Sequence, residues 1–245
     1  MILPPPAPPC YRLAQKPQRL SDPHYDFDPQ ELTFLLAKNV HAMTWVDYQN
    51  LFGPILPAGT YDELRHFVPH FVRFLWDHPE CRLDLVHAWA GFAGENWGEI
   101  CGDRAADYVH AVHRALLAEF TRQFDITHYD RDACAAKGWR SPHFDHVQGA
   151  EALNQFLCKL WEYESQRPIA WEFLQHLADF GDDCVRCFWF LELSKSRFEV
   201  YSPPYAAEVT ALLENPNTLG KALNLILKHQ VEGSYWDDTL QKLGI

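Results

Sequence analysis

Apolar positions along most of this chain recur at intervals of three and four, the spacing that gathers side chains on one face of an α-helix. Leu32, Leu35, Leu36 and Val40 make the first stripe, and Pro29 after Asp28 suits the first turn of that helix. Leu64, Phe67, Val68, Phe71 and Leu75 make the second, where Thr60 and Glu63 have the form of a capping box. Pro69 within this stripe removes a backbone donor and crowds the carbonyl of Arg65, so the helix kinks or restarts there. Leu83, Val86 and Ala90 mark a third helix. A long fourth begins near Asp103, read as its N-cap, and carries Val109, Val112, Leu116, Phe120 and Phe124.

After a polar, aromatic loop around 125–144 come Leu153, Phe156, Leu157, Leu160 and Trp161, then Ile169, Phe173, Leu174 and Leu177. Cys184–Leu193 is apolar nearly all round and predicts a buried helix, paired with its predecessor as a hairpin about Gly181. Tyr205–Leu213, Leu219–Leu227 and Trp236–Leu243 complete the series, punctuated by Ser202-Pro203-Pro204 and Asn215-Pro216. Phe198–Tyr201 is the one plausible extended piece. About ten amphipathic helices must bury their stripes against one another, which predicts an all-α, compact irregular multi-helix bundle, with a short α-solenoid as the alternative. Residues 1–28 are rich in proline and predict an extended tail, leaving 29–245 as a single helical domain.

Composition narrows the function. The 245 residues are 47% apolar, enough for a core, and 33 acids against 21 bases leave a net charge of −12. That balance disfavours phosphate-backbone binding, which needs clustered Lys and Arg, so no direct nucleic-acid partner is expected. No apolar run approaches the roughly 18–20 residues that span a bilayer. The first ten residues lack the basic and apolar regions of a secretory signal. Seven scattered cysteines (10, 81, 101, 134, 158, 184 and 187) do not make a disulfide framework, so cytoplasmic residence with reduced thiols is expected.

Candidate chemistry is sparse. Acid-x-x-His pairs occur at Glu63/His66, Asp84/His87, Asp107/His110 and Asp125/His128. This is the spacing by which helical bundles hold di-iron or di-manganese, and it makes a metal-dependent helical enzyme the second reading. In the helical projection, however, Glu63, His66 and His70 lie opposite the Leu64/Phe67/Phe71 stripe, toward water. Cys184 and Cys187 lack a second ligand pair at zinc spacing, with His143 and His146 too remote, and read as buried thiols. Gly91, Gly94, Gly98 and Gly102 around Trp97 read as a bend between helices, since no strand precedes them as a nucleotide fingerprint requires. No nucleophile elbow, phosphate loop or zinc-protease motif is present. No catalytic residue and no cofactor are therefore expected.

Thr60 to Leu75 resembles a motif of a loose group of uncharacterised bacterial helical proteins, in which an acidic residue is followed after two positions by His-Phe-aliphatic-Pro. Here those positions are Glu63, His66, Phe67, Val68 and Pro69. Ala37–Val40, Trp45 and the long fourth helix are similar too, whereas His70 stands where that group usually has Arg. The resemblance implies a bacterial, cytoplasmic, all-helical protein and no catalytic residues.

The surface acids are the better lead. Glu95, Glu99, Asp103 and Asp107 recur every four residues, Asp182 and Asp183 meet at a helix junction, and Asp237 and Asp238 lie near the end. An acidic face steers a basic partner, and Trp97, Trp139, Tyr235 and Trp236 would serve as interface anchors. The expected function is non-enzymatic protein binding, in its most concrete form an immunity-type inhibitor of a basic toxin or nuclease domain. The expected contacts are Glu95, Trp97, Glu99, Asp182, Asp183, Trp236, Asp237 and Asp238. A self-associating helical scaffold is the third reading.

Overall fold

The computed structural model describes residues 3–24, 27–53, 57–78, 82–122, 153–196 and 207–228. Among these every regular element is helical and no strand occurs, so the architecture is all-α, as the periodicity predicts. The elements are α1 (Pro9–Arg12), α2 (Pro29–Ala37), a single 3-10 turn (Val40–Ala42), α3 (Trp45–Phe52), α4 (Tyr61–Leu64), α5 (Val68–Asp77), α6 (Arg82–Glu95), α7 (Trp97–Gly102) and α8 (Ala106–Arg122). They continue as α9 (153–162), α10 (Arg167–Ala178), α11 (Cys184–Ser196), α12 (Ala207–Leu213) and α13 (Pro216–Lys228). None of these helices is long and apolar enough to cross a membrane. The chain divides into two compact units, Met1–Leu116 with Glu162–Gln166, and Leu117–Trp161 with Arg167–Ile245.

The first unit is built on an aromatic core. Phe71 of α5 stacks on Tyr48 and Phe52 of α3, with ring centroids 5.2 and 4.5 Å apart, and meets Trp89 of α6 edge-on at 6.1 Å. Capping explains where several of these helices start. Asp28 with Glu31, Thr44 with Asp47 and Thr60 with Glu63 each form a capping box. Pro69 restarts a helix rather than kinking one. Its missing N–H falls in the first turn of α5, after α4 has ended at Leu64. Helix α3 escapes the apolar periodicity because Trp45 and Val46 are exposed, while Tyr48, Leu51 and Phe52 carry its buried face.

Within the expected extended tail, residues 8–22 pack on the body of the first unit. Tyr11 is 1% exposed and Leu20 is 6% exposed, both buried against the first unit. This covering also explains why Glu63 and His66, expected to face water, are half-buried; His70, expected to do the same, is half-buried beside His41.

In the second unit α11 is central. Cys187 to Ser194 are all buried, consistent with a helix apolar on every side. It packs against α10, α12 and α13. Gly181, at φ +54°, turns the chain between α10 and α11, a left-handed conformation that glycine adopts without a Cβ clash. Arg186 fastens the hairpin, donating to the Asp179 carbonyl at 2.9 Å and to the Asp183 carboxylate at 3.0 Å. Ser194 Oγ donates to the Leu213 carbonyl at 3.0 Å, and Cys187 Sγ lies 3.7 Å from the Ala222 carbonyl.

Candidate functional site

The expected acidic and aromatic face centres on the α6–α7–α8 bend of the first unit. Helix α6 ends where Asn96 turns its side-chain amide back to the Phe92 carbonyl, 2.9 Å away. Helix α7 then presents Trp97 and Glu99 outward while burying Ile100. Its end is a Schellman motif: the Ala105 N–H reaches the Ile100 carbonyl at 2.9 Å and the Arg104 N–H reaches Cys101 at 3.0 Å. The left-handed residue of that motif, usually glycine, is Arg104 at φ +56°. Asp103 is thus the C-cap of α7 and not the N-cap of the next helix, because α8 can begin only after this turn. The geometry predicts that Arg104→Gly stabilises the fold by about 0.5–1 kcal/mol by relieving the Cβ clash. A urea midpoint that rises at unchanged slope is the expected result, and a fall would contradict it.

Around this bend the Glu95, Glu99 and Asp107 side chains are exposed. Trp97 is half-buried and stacks on His110, centroids 4.9 Å apart and planes 23° apart. His110 Nε2 donates to the Ser165 carbonyl at 3.2 Å, which fixes the ring beneath the tryptophan. Burial lowers the His110 pKa below its ordinary value; the bond to Ser165 opposes this, Arg114 reinforces it, and Asp107 opposes it. The stacked pair is therefore neutral near pH 7 and presents an apolar platform, with Asp107 the carboxylate that acts on His110. Glu95 also accepts a bond from the Tyr163 hydroxyl at 3.2 Å.

Other expected residues are placed differently. Asp103 turns away from the face, accepting from the Tyr61 hydroxyl at 2.9 Å and pairing with Arg65 at 3.4 Å. Asp182 and Asp183 are exposed, but Asp183 is committed to the Arg186 N–H and guanidinium. Trp236, Asp237 and Asp238 lie outside the described residues, as do Trp139, Tyr235, Asp125, His128, His143, His146 and Phe198–Tyr201.

Among the described residues the acid-x-x-His pairs do not come together. Glu63 Oε2 accepts from the Ser21 N–H and hydroxyl at 3.0 and 2.7 Å and from the Thr60 N–H at 3.0 Å. Burial raises the Glu63 pKa, but these donors outweigh it and leave the carboxyl below its usual range. His66 Nδ1 donates to the Ala14 carbonyl at 2.9 Å. Asp107 is exposed and His110 lies under Trp97. His87 is half-buried, and the side chain of Asp84 lies outside the described residues. Among the described residues no three His, Cys, Asp or Glu side chains gather to hold a metal ion.

Periodicity passes over two features. One is a run of imidazoles, with His70 centred 5.6 Å from His41 and 6.0 Å from His66. The other is His113, fully buried in α8 beside Trp89, with ring centroids 6.0 Å apart. His66 and His70 are four positions apart and share a face locally, but His41 beside His70 and Trp89 beside His113 are neighbours far away in sequence. Comparisons of this chain with protein-family models, with curated proteins and with solved structures find no match.

Proposed function

We propose that this chain is a non-enzymatic, acidic protein-binding protein, an immunity-type inhibitor that covers a basic toxin or nuclease domain in a bacterial cytoplasm. The observation that carries the reading is the aromatic platform of Trp97 on His110, with Glu95, Glu99 and Asp107 exposed along the same α6–α7–α8 bend. A partly buried tryptophan supplies an anchor that loses little conformational freedom on binding. Carboxylates along the bend raise the encounter rate with a basic surface and orient it. The net charge of −12 acts in the same direction over longer range.

The test identifies the gene beside this chain's own and mixes the domain it encodes with the purified protein; a neighbour that encodes no basic domain counts against the reading. Glu95→Lys with Glu99→Lys is expected to slow association about tenfold at low salt and to flatten its salt dependence, with little effect on folding. Asp182 and Asp183 are poorer positions for such a reversal, because a lysine at Asp183 would loosen Arg186 and the α10–α11 hairpin. Absence of a complex would defeat the reading. Unchanged kinetics in the double variant would remove this face from it.

A further inference from the structure

The segment from Pro8 to Asp22 makes a single helical turn of its own, Pro9–Arg12, and otherwise lies extended on the first unit. Its contacts are those by which a folded domain reads an extended peptide. The Tyr11 ring is 1% exposed and packs between Tyr61 and Tyr108, with centroids at 6.4 and 5.7 Å. Its hydroxyl lies 3.3 Å from that of Tyr61. The single Tyr61 proton goes to the Asp103 carboxylate, so Tyr11 is the donor to Tyr61 and a hydrogen-bonded chain runs Tyr11–Tyr61–Asp103.

Beyond this anchor, side chains of the body capture the segment's backbone. His66 donates to the Ala14 carbonyl at 2.9 Å, and Glu63 accepts from the Ser21 N–H at 3.0 Å. Leu20 provides a second, aliphatic anchor. Leu3 and Leu13 stay 71% and 80% exposed, so the groove selects particular side chains rather than burying every apolar one. The segment ends in strain: Asp22, just before Pro23, holds φ at +41°, a conformation unfavourable for a non-glycine residue.

An aromatic pocket with a polar floor, backbone capture by side chains and a strained exit describe a ligand held in place by its tether. We propose that the first unit carries a binding groove for a tyrosine-anchored extended peptide, that residues 8–22 fill it in cis, and that the same segment of a second copy is its ligand in trans. Exchange of this kind re-forms identical contacts, the condition under which segment swapping is inexpensive. The tether gives the cis segment an effective concentration on the order of millimolar, so exchange becomes measurable as protein concentration approaches that value.

The probe is a synthetic peptide of residues 3–22, titrated into full-length protein. Tyr11→Ala empties the pocket of its anchor and is expected to bind the peptide saturably, at least about tenfold tighter than the wild-type chain, where the tethered segment competes. A peptide with alanine in place of tyrosine should lose this binding. If Tyr11→Ala proves unfolded, Tyr11→Phe, which keeps the ring and loses the hydroxyl, replaces it with a smaller gain of the same sign. Wild-type protein should sediment with a growing dimer fraction toward about millimolar concentration, and Tyr11→Ala should not. No saturable binding, or equal binding to wild type and variant, overturns the groove. A wild-type chain that stays monomeric throughout overturns the trans ligand.

Discussion

Acidification from about pH 7.5 to about pH 5 is expected to remove about 2 kcal/mol of stability through one imidazole, that of His113. The ring is 0% exposed, packed beside Trp89 in the first unit. Burial holds its pKa down at about 3, against an ordinary 6.5; the nearby His110 lowers it further, and a bond with Gln166 only partly opposes this. Above pH 6.5 both folded and unfolded chains carry a neutral ring, and the group is indifferent to pH. Below it the unfolded chain takes up a proton that the folded chain refuses, so stability falls by about 1.4 kcal/mol per pH unit. The loss continues until the folded ring itself titrates near pH 3, by which point it amounts to about 4–5 kcal/mol.

Asp47 and Glu63 add to this lower down. Burial pushes the Asp47 pKa up, but bonds from Lys38 and from the Thr44 N–H and hydroxyl hold it below the carboxylate range. Stability from both carboxylates is present above that range and is lost as pH falls through it. Replacing His113 with leucine removes only the imidazole's share. Urea unfolding at the two pH values should therefore show a steeper loss for wild type than for His113→Leu, by about 2 kcal/mol. Equal losses in the two proteins would mean that this ring is not held neutral by the fold.

The helices were legible because their signals are local. The capping box at Thr60 needs only a residue and its third neighbour, the start at Asp28–Pro29 only two adjacent residues, and the all-round apolar run of α11 identifies a central helix without help. What the sequence concealed depends on distant partners. Glu63 and His66 look solvent-facing on a helical projection because their covering comes from Ser21 and Ala14. Proline-rich composition suggests an extended tail and says nothing of what it packs on, whereas Tyr11 reaches Tyr61 across fifty positions of chain. The end of α7 was obscured by an exception: a Schellman turn normally shows itself by glycine, and here the left-handed residue is Arg104. The candidate site has the same character. The spacing of Glu95, Glu99 and Asp107 is visible in one dimension, but the stacking of Trp97 on His110 requires the bend at Asn96 to fold α7 back beside α8.

The glycines at that bend are not interchangeable, and Gly94→Ala is expected to destabilise the fold by about 3 kcal/mol. A Cβ at Gly94 would lie 2.2 Å from both Cγ and Cδ2 of Tyr163 and 2.4 Å from Cδ1. These atoms are at the root of the ring, so a small rotation cannot clear them; the whole side chain must leave. Its departure breaks the hydroxyl bond to Glu95 and disturbs the turn in which the Gln166 N–H bonds the Tyr163 carbonyl at 2.9 Å. Gln166 is itself 0% exposed, so the disturbance reaches the interior near His113. By contrast, Gly98 and Gly102 have no atom near a built Cβ, and alanine at either should fit. Intrinsic helix propensity acts against the clash, since alanine is favoured over glycine by about 1 kcal/mol inside a helix. Removing the tyrosine should therefore reverse the sign: in a Tyr163→Ala background, Gly94→Ala is expected to stabilise by up to about 1 kcal/mol. A double-mutant cycle by urea denaturation measures both values. If alanine at position 94 is equally destabilising with and without the ring, the close approach of Tyr163 is not what glycine provides here.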